Sequence, residues 1–299
     1  MIDIPPSKKS TSPVNDLHSI IKLLSDIDYP DPIRVGKVIH RYIENYPHLE
    51  TEVLARLRSD EPYEKIVGSA EFSGLEFAVN KDVLIPRSES EVLVEHALVD
   101  LLHLHPKPPH PTICIDVGTG SGNLIITMAK RYIEETSDQH QKFNNDPLLN
   151  FLGVDISNEA LDVALSNAST IFEGEGIVNF AESDLLEDVS FDPSAQLIIM
   201  ANLPYVTESE FPDLDPSVRN FDPKISLVGE DTDGLGHYRR LLIHLSELNN
   251  DWIVHFEMDP SQVTDLIGWL WLSGIAGISV ETYHDQYEKV RFIRLEKQK

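Results

Sequence analysis

The sequence predicts an α/β protein: a mostly parallel seven-stranded sheet with a closing antiparallel hairpin, preceded by a small helical domain and a β-hairpin linker. Three observations predict it. From Thr112 onward short apolar runs alternate with amphipathic segments, a glycine-rich turn joins the first of those runs to its helix, and a proline-punctuated helical pattern occupies the N-terminal part.

Residues 1–16 are rich in Pro, Ser and Lys and read as a disordered tail. Residues 17–68 carry apolar positions at helical spacing: Ile20, Leu24 and Ile27, then Val35, Ile39 and Ile43, then Val53, Leu54 and Leu57. Pro30, Pro32 and Pro47 separate these segments, which predicts a small helical domain. Over residues 69–87 the texture becomes strand-like, with alternation around a turn at Gly74 and a second short run at Val83–Ile85, as a β-hairpin linker requires.

The main domain spans residues 88–299. Ser88 followed by Glu91 reads as a capping box opening a helix whose stripe is Val92, Leu93, Ala97, Leu98, Leu101 and Leu102. That helix runs into a proline-rich link where His103, His105 and His110 lack acidic or thiol partners, so the stretch is an exposed connection and not a metal site. Strands are then predicted at Thr112–Val117, Phe151–Ile156, Val178–Ala181, Gln196–Ala201 and Trp252–Met258, with Ile278–Tyr283 and Val290–Leu295 closing as a hairpin. Helices fall at Asn123–Tyr132, Glu159–Ala168, Leu235–Leu248 and Ser261–Leu272. The segment Glu134–Asn150 is polar and aperiodic, as a surface insertion would be.

The 299 residues, 41% of them apolar, suffice for one large core and a smaller second one. No apolar run approaches the ~18 residues that span a bilayer, and the N-terminus has neither a signal-peptide core nor an arginine-rich transit character, so a cytoplasmic protein is expected. The single cysteine, Cys114, lies in an apolar run and reads as a small buried side chain. With 24 Lys plus Arg against 50 Asp plus Glu, the net charge of −26 opposes binding of an extended phosphate backbone.

Chemistry concentrates at the predicted strand ends. Asp116-Val117-Gly118-Thr119-Gly120-Ser121-Gly122 places glycines where a strand turns into a helix, so that backbone N–H groups can approach a ligand. Such a turn serves a dinucleotide, a nucleotide phosphate or S-adenosylmethionine alike. The absence of Lys-Ser or Lys-Thr after the glycines excludes a P-loop, and Asp116 is better suited to a cationic aminoacyl group than to a pyrophosphate. Asp155 ends the second strand, where a carboxylate can accept from ribose hydroxyls; Asp184, followed by Leu185, comes after the third and can accept from an adenine amino group. After the fourth strand stands Asn202-Leu203-Pro204-Tyr205. The Asn202 side-chain oxygen and the Leu203 carbonyl can accept from one planar NH2 while the Tyr205 ring packs over it and Pro204 fixes the turn. This points to an enzyme acting on an amide or amino nitrogen.

These residues carry a resemblance. DVGTGSG, DIS with its following AL and NA, NLPYV, the linker EFSGLEFAV, VLIPRSESEVLVEHAL, FDPKISLVGEDTDGLGHYRRLL and FEMDPSQ, together covering about residues 60 to 295, resemble the protein-(glutamine-N5) methyltransferases of the HemK/PrmC type, within the class I S-adenosylmethionine methyltransferases. The resemblance implies a Rossmann-like methyltransferase domain, S-adenosylmethionine as cofactor, and the GGQ glutamine of a peptide chain release factor as the group modified. It implies cofactor contacts at Asp116, Gly118 to Gly122, Asp155, Asp184, Leu185 and Asn202, and catalysis at Asn202 to Tyr205. It further implies that Leu84, Pro86 and Arg87 flank the substrate and that the helical domain helps to grip it; a monomer is expected. Two motifs depart from the family pattern at three positions: Leu203 stands where a proline is usual, and PRSESE replaces PRPETE, with Ser88 for proline and Ser90 for threonine. NLPY also resembles the motif of rRNA adenine dimethyltransferases, so an adenine-N6 methyltransferase is the rival enzyme; a catalytically idle cofactor-binding protein is the rival of another class.

Overall fold

The computed structural model describes residues 16–104, 110–136 and 147–297, so residues 1–15 of the expected tail, His105 and the middle of the expected insertion lie outside the described residues. The chain divides into two compact units, Met1–Val67 and Gly68–Lys299.

The first unit is helical. Helices α1 (Leu17–Asp26), α2 (Pro32–Asn45), α3 (Glu50–Arg58) and α4 (Tyr63–Val67) enclose a core of Ile20, Leu24, Val35, Ile39, Ile43, Val53 and Leu57. Asp16 caps α1 by accepting from the Ser19 N–H at 2.8 Å, and Asp31 caps α2 by accepting from that of Arg34 at 3.2 Å. Pro32 at the start of α2 loses no helical hydrogen bond. At Gly36 a Cβ would stand 2.6 Å from Ile21 Cγ1, so this glycine permits the close approach of α1 and α2.

In the second unit β1 (Ser69–Phe72) and β2 (Leu75–Ala78) form an antiparallel hairpin. Its two-residue turn, Ser73-Gly74, has positive φ at both positions, the geometry that matches the twist of paired strands. Then come α5 (Glu91–Leu104), β3 (Thr112–Val117), α6 (Asn123–Thr136), β4 (Leu149–Asp155), α7 (Asn158–Ile171), β5 (Val178–Glu182) and β6 (Gln196–Ala201). The short α8 (Pro216–Arg219), α9 (Gly236–Glu247), β7 (Trp252–Glu257), α10 (Val263–Ser273), β8 (Ile278–His284) and β9 (Val290–Lys297) complete the order. Seven strands form one sheet in the order β5-β4-β3-β6-β7-β9-β8, parallel except for β9. Every strand predicted from Thr112 onward is present, with ends moved by a residue or two; the strand-like run Val83–Ile85 of the linker is not a strand and follows the β1–β2 hairpin as irregular chain.

Both faces of the central strands β3, β6 and β7 are covered, which is why these are buried almost throughout, whereas β5, β8 and β9 nearer the edges mix polar with apolar residues. Along β6, Leu197, Ile199 and Ala201 point into a core shared with α9 and α10, whereas Ile198 and Met200 point into one shared with α5 and α6. Cys114 belongs to the second core, and burial pushes its thiol pKa up. In β7 the wholly buried His255 is held by Asp100 of α5, which lies 2.9 Å from its Nε2 and also pairs with Arg294 of β9.

One local expectation fails. Ser88 does not cap α5: a 3-10 turn, Ser88–Ser90, precedes the helix, and the Ser88 hydroxyl bonds the neighbouring Glu89 carboxylate. Glu91 instead accepts from the Ser73 N–H in the hairpin turn at 2.8 Å. The spacing was right for a capping box, but a backbone donor left open by the tight turn took the carboxylate. Accordingly, Ser88→Ala should leave the urea midpoint of unfolding unchanged, while Glu91→Ala should cost about 1–3 kcal/mol through the unsatisfied N–H. A loss on Ser88→Ala with none on Glu91→Ala would contradict this assignment.

Candidate active site

In an open α/β sheet the ligand crevice opens where the strand order reverses, here between β3 and β6. Pairing registers align the residues just past the strand ends. Val117 pairs with Val154 and Ala201, and Ala201 with Phe256, so Gly118, Asp155, Asn202 and Glu257 stand one step further along in a row.

The glycine turn rests on this edge. Gly118 and Thr119 both donate to the Val154 carbonyl at 2.9 Å, and the Gly120 N–H donates to Asp155 Oδ2 at 2.8 Å. Gly118 and Gly120 have φ of 74° and 54°, a left-handed backbone that they adopt without a Cβ penalty, and both of their N–H groups are spent within the protein, where the sequence pictured them as free for a ligand. Gly122 serves packing: a Cβ there would sit 2.7 Å from Ile126 Cδ1 and 3.2 Å from Ala164 Cβ, where α6 meets α7. Asn167 of α7 locks the loop from behind, donating to the Ser121 and Ala78 carbonyls at 2.9 and 3.1 Å and accepting from the Ala78 N–H at 2.7 Å.

Two clefts meet over this row. One, of about 350 Å³, is lined by Gly118, Gly120, Asp155, Asp184, Leu185 and Asn202 among others. The other, of about 760 Å³, is lined by Leu84, Arg87, the whole segment Asn202 to Tyr205, Glu257 and Arg291 among others. Leu84, Asn202, Leu203 and Pro204 border both, and a small cavity of about 40 Å³ with Pro86, Thr119 and Ser121 on its wall also reaches Asn202. Most of the residues singled out in the sequence therefore converge. Asp116 and Gly122 are not on a cleft wall.

Asp116 is wholly buried. Its Oδ2 accepts from the Thr119 hydroxyl at 2.7 Å, and its Oδ1 has no hydrogen-bond partner. Burial pushes this carboxyl up to about 7, with the Thr119 hydroxyl and the nearby Ile125 N–H opposing and Asp155 reinforcing the rise. Asp155 is raised by burial too, offset by the Ser157, Gly120 and Ile156 N–H groups. Asp184 is paired with Arg240, 2.7 Å away, which also binds Glu187 and Glu230.

The Asn202 to Tyr205 segment is held through its carbonyls. The Tyr238 hydroxyl lies 2.8 Å from the Leu203 oxygen and 2.6 Å from that of Glu257; its single proton serves one of them at a time. The Leu203 carbonyl is therefore shared with the protein, where the sequence pictured it as free, but it keeps a lone pair for a further donor. Gln262 Nε2 donates to the Tyr205 oxygen at 2.9 Å and to that of Asp233 at 2.7 Å. Gly229 and Gly234 let the following loop lie flat on this backbone: a Cβ on Gly229 would come within 2.6 Å of the Pro204 oxygen. Arg87 is tied to the buried Asp222 at 2.7 Å, which anchors the linker beside the segment. Burial raises the Tyr205 pKa, keeping the phenol neutral.

Sequence reasoning missed Arg291, and it quoted Asp222, Tyr238, Arg240, Glu257 and Gln262 without giving any of them a role. Glu257 is 3% exposed, and burial pushes it up to about 7 against the opposing Ser90 hydroxyl and Arg291. Its signal was present as an acid ending the run Trp252–Phe256, which is apolar but for His255.

A Rossmann-like sheet with a reversed final strand, a glycine turn and acids at the successive strand ends defines a class I methyltransferase. No family model matches the chain. Curated relatives do: it is 34% identical over 221 residues to the release factor glutamine methyltransferase of Enterococcus faecalis, covering 73% of this chain and 70% of that one. To the enzyme of the same name from Bacillus subtilis it is 35% identical over 236 residues, 78% of this chain and 74% of that one. The chain belongs to the release factor glutamine methyltransferases. Among solved structures, the N-terminal domain of human METTL16 in complex with SAH superposes with a TM-score of 0.48 at 14% identity over 75% of this chain and 76% of that one.

The residues present fit S-adenosylmethionine. The smaller cleft lies within the ~300–1,000 Å³ range of small-molecule sites, with Gly118, Gly120, Asp155 and Asp184 on its wall, and Asp116 braces the glycine turn from beneath through the Thr119 hydroxyl. Asp116 also dictates a pH dependence. A carboxyl raised above its unfolded value contributes stability that is complete below pH 3.8 and is lost as pH rises through about 7. Thus Asp116→Asn should raise the melting temperature at pH 8, relieving a penalty on the order of 4 kcal/mol, with the gain vanishing near pH 4, while lowering cofactor affinity at pH 8. Calorimetry at the two pH values checks both; a gain in stability that is equal at pH 4 and pH 8 would refute the linkage.

Proposed function

We propose that this chain transfers a methyl group from S-adenosylmethionine to the side-chain amide nitrogen N5 of a glutamine in a peptide chain release factor, the GGQ glutamine. The observation that carries the reading is the position of Asn202 at the junction of the two clefts, bordered on either side by Leu84, Leu203 and Pro204. When bound, the cofactor supplies an electrophilic methyl on a sulfonium. The chain's own residues have a different task, because an amide nitrogen is a weak nucleophile whose lone pair is delocalised: they must orient it.

Asn202 Oδ1 and the Leu203 carbonyl accept the two amide hydrogens and aim the nitrogen's lone pair at the neighbouring cleft. Pro204 fixes the turn, and the half-buried Tyr205 ring shields the nitrogen and favours the positive charge that grows on it. One nitrogen–carbon bond forms, the carbon–sulfur bond breaks, and the nitrogen then loses one proton. Leu84, Pro86 and Arg87 flank the glutamine, and the helical domain of residues 17–68 recognises the protein that carries it. The cofactor-contacting set is Gly118 to Ser121, Asp155, Asp184, Leu185 and Asn202, with Asp116 acting from beneath.

The larger cleft favours a protein over a nucleic acid. Glu89, Glu210, Asp213, Asp233, Glu257 and Asp259 line it against two arginines, Arg87 and Arg291, which are themselves paired with Asp222 and Asp285. A phosphodiester chain would be repelled there. No helix among the described residues is long and apolar enough to cross a membrane. We take the enzyme to act in the cytoplasm as a monomer.

Radiolabelled transfer to a purified release factor, to the same factor with its GGQ glutamine changed to alanine, and to ribosomal RNA tests the reading. Label on the intact factor alone is expected; label on RNA alone would give the site to an adenine amino group, and label on none would leave an idle cofactor-binding protein. Asn202→Ala should lower turnover by about 100-fold or more while cofactor affinity by calorimetry stays within a few-fold; near wild-type turnover would sink the mechanism.

A further inference from the structure

Asn202 works as an acceptor only if its amide faces the right way. The oxygen and the NH2 of a carboxamide are almost isosteric, so something must choose between two orientations related by a half-turn. Among the described residues, Ser90 is the one side chain hydrogen-bonded to the Asn202 amide, with Nδ2 3.2 Å from Ser90 Oγ. Ser90 ends the 3-10 turn ahead of α5 and is 2% exposed, so water cannot stand in for its partners.

A hydroxyl carries one proton. The Ser90 hydroxyl lowers the pKa of Glu257, as a donor to its carboxylate does, and Glu257 stands beside Asn202 at the sheet edge because Ala201 pairs with Phe256. With the proton engaged there, Ser90 Oγ can only accept from Asn202, so the NH2 end is drawn to Ser90 and Oδ1 is left to the clefts. We propose that Ser90 and Glu257 are positioning residues that select the orientation of the Asn202 amide in which its oxygen receives the substrate amide. The inference rests on the amide-methylation reading above and deepens it. In the reversed orientation two N–H groups would confront each other, and the acceptor would be lost.

The selection depends on an ionised Glu257. Were this carboxyl protonated, it would donate to Ser90 Oγ, the Ser90 proton would turn to Asn202 Oδ1, and the amide would turn over. The groups facing Glu257 are Arg291 of β9 and Arg87 of the linker, which favour ionisation, and Glu89, which opposes it; the neutral Tyr205 hydroxyl also faces it. Burial sets the carboxyl close to pH 7, so the switch falls within a measurable range.

Steady-state transfer at saturating cofactor, with wild type, S90A, S90T and E257Q, tests the proposal alongside the 15N–1H signals of the Asn202 side chain in the free protein. S90A should lower kcat about 10- to 100-fold, leaving KM for the protein substrate and cofactor affinity within about threefold. S90T, which keeps the hydroxyl, should restore kcat. The acid limb of the wild-type kcat profile near pH 7 should flatten in E257Q, and the Asn202 amide signals should titrate with the same midpoint in wild type but not in S90A. Should S90A be damaged in folding, S90T and E257Q still decide: an S90T enzyme as slow as S90A, or an E257Q enzyme with an unaltered acid limb, overturns the proposal. Amide signals indifferent to pH also overturn it. They need no substrate, so a wild-type enzyme that failed to label any release factor would count against the proposed reaction and leave this measurement decisive.

Discussion

The site depends on one constraint: β6 is inserted in parallel between β3 and β7. The chain moves outward from β3 through β4 to β5, then returns to pair β6 on the other side of β3. The connections leaving β3 and β6 therefore diverge, and a crevice opens where they part. Register then does what no local sequence signal does. It brings the glycine turn after Val117, the amide after Ala201 and the acid after Phe256 to the same level, although they are far apart in the chain. A slip of one residue in β6 would exchange its two core faces and point Asn202 away from the crevice. The apolar contacts of Leu197, Ile199 and Ala201 on one face and of Ile198 and Met200 on the other oppose such a slip.

That sheet also carries the burden of groups that do not favour folding. Asp116 and Glu257 are buried carboxyls whose ionised forms are disfavoured by desolvation, and each has one oxygen without a partner. Isolated from function, both positions would be better filled by neutral side chains. Their retention beside the glycine turn and beside Asn202 makes sense for groups whose partner is a ligand or a reacting residue. His255 is equally buried and also keeps one unpartnered atom, Nδ1, but its Nε2 is held by Asp100, which Arg294 in turn neutralises, and it lies in the core, off the walls of the clefts.

Much of the fold was legible because a sheet covered on both faces needs continuous apolar runs, and Gln196–Ala201 or Trp252–Phe256 can hardly be anything else. The turn at Ser73-Gly74 and the prolines between the N-terminal helices were legible for local reasons as well. What stayed hidden is long-range. Ser88 and Glu91 satisfied a local pattern, yet a donor in the hairpin captured the glutamate. Asp184 looked like an open acceptor, but Arg240, remote in sequence, sits on it. Tyr238 and Gln262 reach back to the Leu203 and Tyr205 carbonyls across long loops, and nothing in their own neighbourhoods marks them.

Those two residues also bear on the one substitution within the motif itself. A proline at position 203 would fix the backbone dihedral before the turn, and Leu203 does not. The leucine is nevertheless 3% exposed and packs where a Cβ on Gly118 would touch its Cδ2 at 3.4 Å, so its side chain is wedged against the glycine turn. Its carbonyl is within reach of Tyr238, the Tyr205 carbonyl is bonded to Gln262, and the Val206 N–H and C=O are bonded to Leu227 and Gly229. Rigidity that a proline ring would supply covalently is supplied by burial and by a series of backbone hydrogen bonds. The trade leaves the Leu203 oxygen partly engaged by a phenol that can turn its proton to Glu257 instead, so the acceptor strength of this carbonyl is coupled to the end of β7, the same place from which Ser90 and Glu257 act on Asn202. The two groups proposed as acceptors thus share a neighbour at one strand end: Tyr238 reaches the Glu257 backbone carbonyl as well as that of Leu203, and Ser90, which bonds the Asn202 amide, acts on the Glu257 carboxyl.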